Sequence, residues 1–100
     1  MARVIIWTSQ SLEDIEIIAE YIAKDSIKYA QYQVMSFFSS VEILNQFPRA
    51  GKIVPEIKKS EFRQLICGSY RVIYYIKSEK EISILTIYHV KRKLNAKSIK

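Results

Sequence analysis

Glycine and proline are scarce, at two each in 100 residues. With so few chain breakers, loops should be few and the regular elements long. Two glycines cannot build a glycine-rich phosphate loop, which excludes P-loop and dinucleotide-binding fingerprints. A single histidine, His89, and a single cysteine, Cys67, fall short of a structural zinc site. A lone cysteine also forms no internal disulfide. By residue type Cys67 and His89 suit a nucleophile and a base, but a cysteine inside a strand-like run is expected to be buried and inert. No apolar run approaches the roughly 20 residues a membrane helix needs. The apolar start at Val4–Ile6 is far too short for a secretory signal. These absences point to a cytoplasmic protein with no membrane span, metal or cofactor.

What is present is apolar and basic. Apolar residues make up 49% of the chain, a folded composition rather than a disordered one. At 100 residues the expectation is one domain, 1–100, with one core. Sixteen Lys and Arg stand against ten Asp and Glu, a formal charge of +6. That balance suits solubility, and it equally suits an anionic partner, nucleic acid or acidic protein. The charge is uneven. Lys91, Arg92, Lys93, Lys97 and Lys100 form a basic tail, about 91–100, without an acid, whereas Glu13, Asp14, Glu16 and Glu20 cluster near the start.

Hydrophobic spacing divides the chain into an N-terminal part of helical period and a C-terminal part of strand period. "RVIIWT" (Arg3–Thr8) reads as a strand. Thr8, Ser9 or Ser11 can cap a helix in which Leu12, Ile15, Ala19 and Ile22 recur, with Ile18 beside them. Glu13 and Asp14 are expected in its first turn, where carboxylates favour the helix N-terminus. That helix should end near Lys24-Asp25. Ser26 then caps a second helix with the stripe Ala30, Val34, Phe37, Val41 and Leu44, stopped by Pro48. A polar loop follows, with a short edge strand at Lys52–Val54. Phe62–Cys67, Tyr70–Lys77 and Ile82–His89 read as strands, and Gly68-Ser69 suits a primed two-residue turn. The order predicts an α+β fold: an N-terminal strand and a helical hairpin packed on a mainly antiparallel sheet of three to four strands.

Chemistry is concentrated in the strands. Arg63 and Arg71 sit where exposed, solvated arginines are the ordinary outcome. With His89 and a tyrosine such as Tyr70, Tyr75 or Tyr88, they also suit phosphodiester chemistry. Arginine holds phosphate with two N–H groups and stabilises developing charge, while histidine or tyrosine moves protons.

The segments "WT…DI…IAEYIAKDS" (Trp7–Ser26), "FPRAGKIVPE" (Phe47–Glu56), "FRQLI…YRVIYYI" (Phe62–Ile76) and "ILTIYHVKR" (Ile84–Arg92) together resemble the RelE/ParE superfamily of bacterial toxins. The resemblance covers about residues 3 to 93. It implies a toxin of a type II toxin–antitoxin system, neutralised by a cognate antitoxin with an acidic or amphipathic segment. Operator DNA would then be reached only through that antitoxin. Two targets follow from the superfamily: DNA gyrase for ParE-like members, and ribosome-bound mRNA for RelE-like endoribonucleases. A non-toxic member that only binds its partner is a third reading. In a RelE-like reading Arg71, Arg63 and His89 are the catalytic candidates. Yet Phe62 and Gln64 occupy positions where such members carry lysines, and Arg63 should project to the opposite face. The long hairpin and "YIAKDS" favour the ParE-like branch. Tyr88, Lys91, Arg92 and Lys93 are then candidates for contact with target or nucleic acid. Ile17 and Tyr21, apolar residues surplus to the helix stripe, are candidates for antitoxin binding.

Overall fold

The computed structural model describes residues 3–94. Its elements are β1 (Val4–Trp7), α1 (Ser9–Ala23), α2 (Ile27–Val41) with a short 3-10 turn at Glu42–Asn45, β2 (Lys52–Ile53), β3 (Phe62–Cys67), β4 (Tyr70–Ile76) and β5 (Glu81–His89). Local chemistry accounts for most boundaries. Of the three candidate caps before α1, Thr8 takes the role: its hydroxyl accepts from the Ser11 N–H at 3.2 Å. Ser26 caps α2 by accepting from the Tyr29 N–H at 3.1 Å. Gly68, at φ +62, is the first central residue of the β3–β4 turn. Glycine in that slot is what a type II′ hairpin requires.

The sheet holds five strands in the order β1-β5-β4-β3-β2, more than the three to four expected. β2–β5 form the anticipated antiparallel ladder, and β1 joins its far side parallel to β5, Ile5 opposite Ile82. A parallel partner lying almost the whole chain away leaves no local signal in the sequence.

The sheet has two unlike faces. On the helical face α1 and α2 cover Val72, Tyr74, Ile82 and Ile84, with Phe37 and Leu44 fully buried among them. On the back face the loop after β2 and the chain after β5 bring Val54 and Leu94 over Ile73. Two details of α1 differ from the spacing argument. Leu12 is exposed, and Ser11 is buried in its place; its hydroxyl donates to the Thr8 carbonyl at 2.7 Å. Glu13 and Asp14 lie beyond the first turn, because the helix starts at Ser9. Asp14 instead accepts hydrogen bonds from the Thr86 hydroxyl and the Ile87 N–H on β5. There the register shifts and leaves Leu85 as a bulge between Ile84 and Thr86.

Gly51 is fixed by close approach rather than by turn geometry. A Cβ there would stand 2.5 Å from the Gln64 carbonyl and 2.8 Å from the Tyr74 ring. The Gly51 N–H donates to the Tyr74 hydroxyl at 3.0 Å, and that hydroxyl donates to the Pro48 carbonyl at 2.8 Å. Burial raises the Tyr74 phenol above its usual range, partly countered by the Gly51 N–H. Gly51→Ala is expected to destabilise the fold by about 1–3 kcal/mol through overpacking against backbone. Tyr74→Phe should be milder, at about 1 kcal/mol for the lost hydroxyl. Chemical denaturation of both variants checks this order.

Candidate functional site

The two strand arginines face opposite sides of the sheet. Arg63 pairs with Tyr74 in the ladder, and its side chain staples the loop ahead of β3. Its Nε donates to the Ser60 carbonyl at 2.9 Å, and its Nη1 donates to the carbonyls of Gly51 at 2.9 Å and Arg49 at 3.2 Å. Arg71 lies on the back face, 6% exposed, which is far from the solvated arginine that strand statistics favour.

Arg71 is closed by four hydrogen bonds. Nη1 donates to Glu56 Oε1 at 2.9 Å and to Gln64 Oε1 at 3.1 Å. Nη2 donates to Glu56 Oε2 at 2.9 Å and to the Arg92 carbonyl at 2.9 Å. The fork therefore meets its carboxylate through two parallel N–H bonds, the strongest arrangement open to the pair. Glu56 Oε2 also accepts from the Leu94 N–H at 3.0 Å. Two side chains thus join three pieces of chain: the loop after β2, the middle of the sheet, and the segment following β5.

The hydrogen bond from Arg71 holds the Glu56 carboxyl down, from the usual 4.5 to about 2, against the opposing pull of burial and with help from the Leu94 N–H. Sequence reading placed Glu56 in a polar loop and gave it no role. The available signal was its isolation, a single acid among Lys52, Lys58 and Lys59.

His89 does not join Arg71. It sits at the end of β5 opposite Tyr70, exposed, with ring centroids 5.5 Å apart edge to face. Its Nδ1 accepts from the Lys91 N–H at 3.1 Å. Arg63 shares that face, but its ladder partner is Tyr74, four residues along β4 from Tyr70 and about 13 Å away at strand spacing. Arg63, Arg71 and His89 are therefore three separate positions. Cys67 is buried with the Gln33 amide 3.8 Å from its sulfur, and Tyr70 stands between it and His89 in the ladder. Burial, then the nearby phenols of Tyr21 and Tyr29, raise the Tyr70 hydroxyl above its ordinary value.

On the back face Tyr88 carries the Arg92 guanidinium over its ring, 4.9 Å from the centroid. Lys91, Arg92 and Lys93 are exposed; Lys97 and Lys100 of the basic tail lie outside the described residues. Lys91–Lys93 rim a hollow of about 360 Å³ whose floor includes Gln64, Ile66 and Arg71. Ile17 and Tyr21 are exposed on α1. Neither lines the apolar groove of about 540 Å³ between the helices, which is formed by Ala19, Ala23, Ile27, Ala30, Val34 and Met35 among others. The helix stripes were read for core alone, so this groove was not anticipated. Small residues at Ala19, Ala23 and Ala30 open it. Among the described residues no group of His, Cys, Asp and Glu is placed to hold a metal, and no helix is long and apolar enough to cross a membrane.

The geometry sets an acid dependence. Glu56 is lowered in the fold, so its contribution is complete above about pH 4.5 and is lost as pH falls towards 2. A shift of that size corresponds to roughly 3 kcal/mol. In Glu56→Gln that part of the acid sensitivity should disappear, and neutral-pH stability should fall by about 3 kcal/mol because Arg71 is left buried without its counter-charge. Denaturation midpoints from pH 7 downward read both effects.

A family model described as the ParE toxin of the type II toxin–antitoxin system parDE matches residues 5–94. Among solved structures, one described as the chromosomal ParDE TA system from P. aeruginosa shares the fold at a TM-score of 0.73 and 24% identity, over 90% of this chain and 98% of that chain. No curated protein matches the chain. The family match takes in both helices, the sheet from Ile5 onward and the Arg71–Glu56 pair, and it agrees with the resemblance carried by "FPRAGKIVPE" and "YRVIYYI". The chain belongs to the family of ParE toxins of type II toxin–antitoxin systems.

Proposed function

We propose that this toxin acts by binding DNA gyrase rather than by cutting RNA, and that a cognate antitoxin silences it by laying an amphipathic helix in the α1–α2 groove. The observation that carries the choice of target is the closed Arg71–Glu56 pair. A nuclease arginine must offer its N–H groups to a phosphate in the transition state. Here both terminal nitrogens are already spent on Glu56, Gln64 and the Arg92 carbonyl. His89 and Arg63 stand on the other face of the sheet, so no proton-transfer group faces Arg71 from either residue. Phe62 and Gln64 stand where an RNA-cleaving set carries lysines, so β3 presents no cation on the face of Arg71. What remains exposed at the rim of the hollow is Lys91, Arg92 and Lys93, with the half-buried Tyr88 ring beneath the Arg92 guanidinium. These four residues are assigned to contact with the target.

The antitoxin assignment rests on shape and polarity. The groove is almost wholly apolar, with Glu20 and Gln31 at its edges. Its small-residue floor lets another helix approach closely, as helix-in-groove recognition requires. Ile17 and Tyr21 fall four residues apart on α1 and form a separate exposed strip, which a wrapping segment crosses outside the groove.

Purified toxin should inhibit gyrase supercoiling or trap cleaved DNA, and should leave mRNA on programmed ribosomes intact. Normal supercoiling at excess toxin, or mRNA cut in the ribosomal A site, overturns the gyrase reading. Ala23→Arg, which fills the groove with a charge, should weaken antitoxin binding at least tenfold, about 1.4 kcal/mol. Gyrase inhibition by that variant should persist. Unchanged antitoxin affinity measured by calorimetry overturns the groove assignment.

A further inference from the structure

The charges of this protein are sorted by layer. Between Ser9 and Asn45, the helical layer, six acids (Glu13, Asp14, Glu16, Glu20, Asp25, Glu42) face only Lys24 and Lys28. From Gln46 to Leu94 eleven Lys and Arg stand against four acids. One of those four, Glu56, is consumed by Arg71. The net positive charge of the chain is therefore the sum of an acidic helical side and a strongly basic remainder.

The basic side is not confined to the chain end. Lys52 stands on edge strand β2 opposite Gln64. It borders a hollow of about 370 Å³ lined by Gly51, Gln64, Leu65 and Ile66. The hollow beneath Lys91–Lys93 shares Gln64 and Ile66 with it. The two are continuous across β3, with Lys52 at one end and Lys91, Arg92 and Lys93 at the other. Lys58 and Lys59 project from the loop that carries Glu56, and both are exposed. Lys58 has φ +60, the sole positive φ outside glycine among the described residues. A side chain in that left-handed region costs roughly 1 kcal/mol relative to glycine, so the loop holds a lysine where its backbone would favour another residue.

We infer that this back face binds the phosphate backbone of duplex DNA directly, with Lys52, Lys58, Lys59, Lys91, Arg92 and Lys93 as the contacting cations. The floor between them is neutral, because Arg71 is cancelled by Glu56. The cations come from three separate segments, which suits a rigid array of evenly spaced anions more than one extended peptide. A protein partner finds its apolar groove on the opposite, acidic side. Such binding reads charge rather than sequence. It is distinct from operator recognition through an antitoxin, and it requires no gyrase. In a complex with a DNA-processing enzyme the same face would hold the toxin beside the bound duplex.

The test uses the full-length toxin alone and a fluorescent duplex of roughly 20 bp, with anisotropy read between about 50 and 200 mM salt. Binding should be micromolar at low salt and weaken steeply as salt rises. Lys52→Ala/Lys59→Ala/Lys93→Ala should reduce affinity at least tenfold and flatten the slope of log K against log salt by about 3. Lys24→Ala/Lys28→Ala on the helical side should bind like the parent. Circular dichroism of each variant confirms that the fold is retained. No salt-dependent binding at the low-salt end overturns the inference, and so does an equal loss in the helical-side variant. Tenfold preference for single-stranded RNA of the same length overturns the assignment to duplex DNA. Since gyrase is absent throughout, either outcome stands apart from the supercoiling result.

Discussion

The Arg71–Glu56 pair is the contact through which the back of this molecule is held together. Both charges are largely withdrawn from water, a costly arrangement unless nearly every N–H and lone pair is used. Here four N–H bonds leave the guanidinium and three arrive at the carboxylate. The loop after β2 has almost no regular structure of its own, and residues 90–94 after β5 form only a turn. Without the pair both segments lose their charged tie to the sheet, and Val54 and Leu94 would close less tightly over Ile73. The same bonds that build this second, smaller core engage both terminal nitrogens of the arginine. A side chain that reads in sequence as a catalytic candidate also ties three segments of the fold together.

From that fastening follows a division of surfaces. The helical side, acidic and grooved, offers apolar depth between α1 and α2. The back side, basic and shallow, offers cations around a neutral floor. One is suited to a protein helix and the other to a regular anion. A small toxin that must be silenced by one partner and deliver harm to another benefits from keeping these surfaces on opposite sides of one sheet. Each can then change without rebuilding the other, because the sheet between them is fully buried at Val72, Ile73 and Tyr74.

The fold was readable where the chain speaks locally. Ser26 before an apolar stripe and Gly68-Ser69 between two β-branched runs each fix a boundary through a short-range physical cause, whereas α2 ends at Val41, well ahead of the expected stop at Pro48. The α+β order and the projection of Arg63 away from the face of Phe62 and Gln64 followed from period and alternation. What was not readable depends on partners distant in sequence. β1 finds β5 across most of the chain. Leu12 yields its inward place to Ser11 because the helix begins at Ser9, which rotates the buried face. Asp14 serves a strand rather than its own helix end. The pairing of Arg71 with Glu56 was not readable because the counter-charge lay in a loop with no pattern to mark it. The groove was invisible because alanines at helical spacing read as ordinary core.

The parallel pairing of β1 with β5 bears on how the toxin is made. The first strand leaves the ribosome early, and its ladder partner is the last of the described strands to be synthesised. Until β5 emerges, β1 has no ladder partner, and α1 lacks the Thr86 and Ile87 groups that Asp14 binds. Segments lying after β5 then complete the clamp on Arg71. A nascent chain therefore has no finished sheet and no finished back face until translation has passed residue 94 or so.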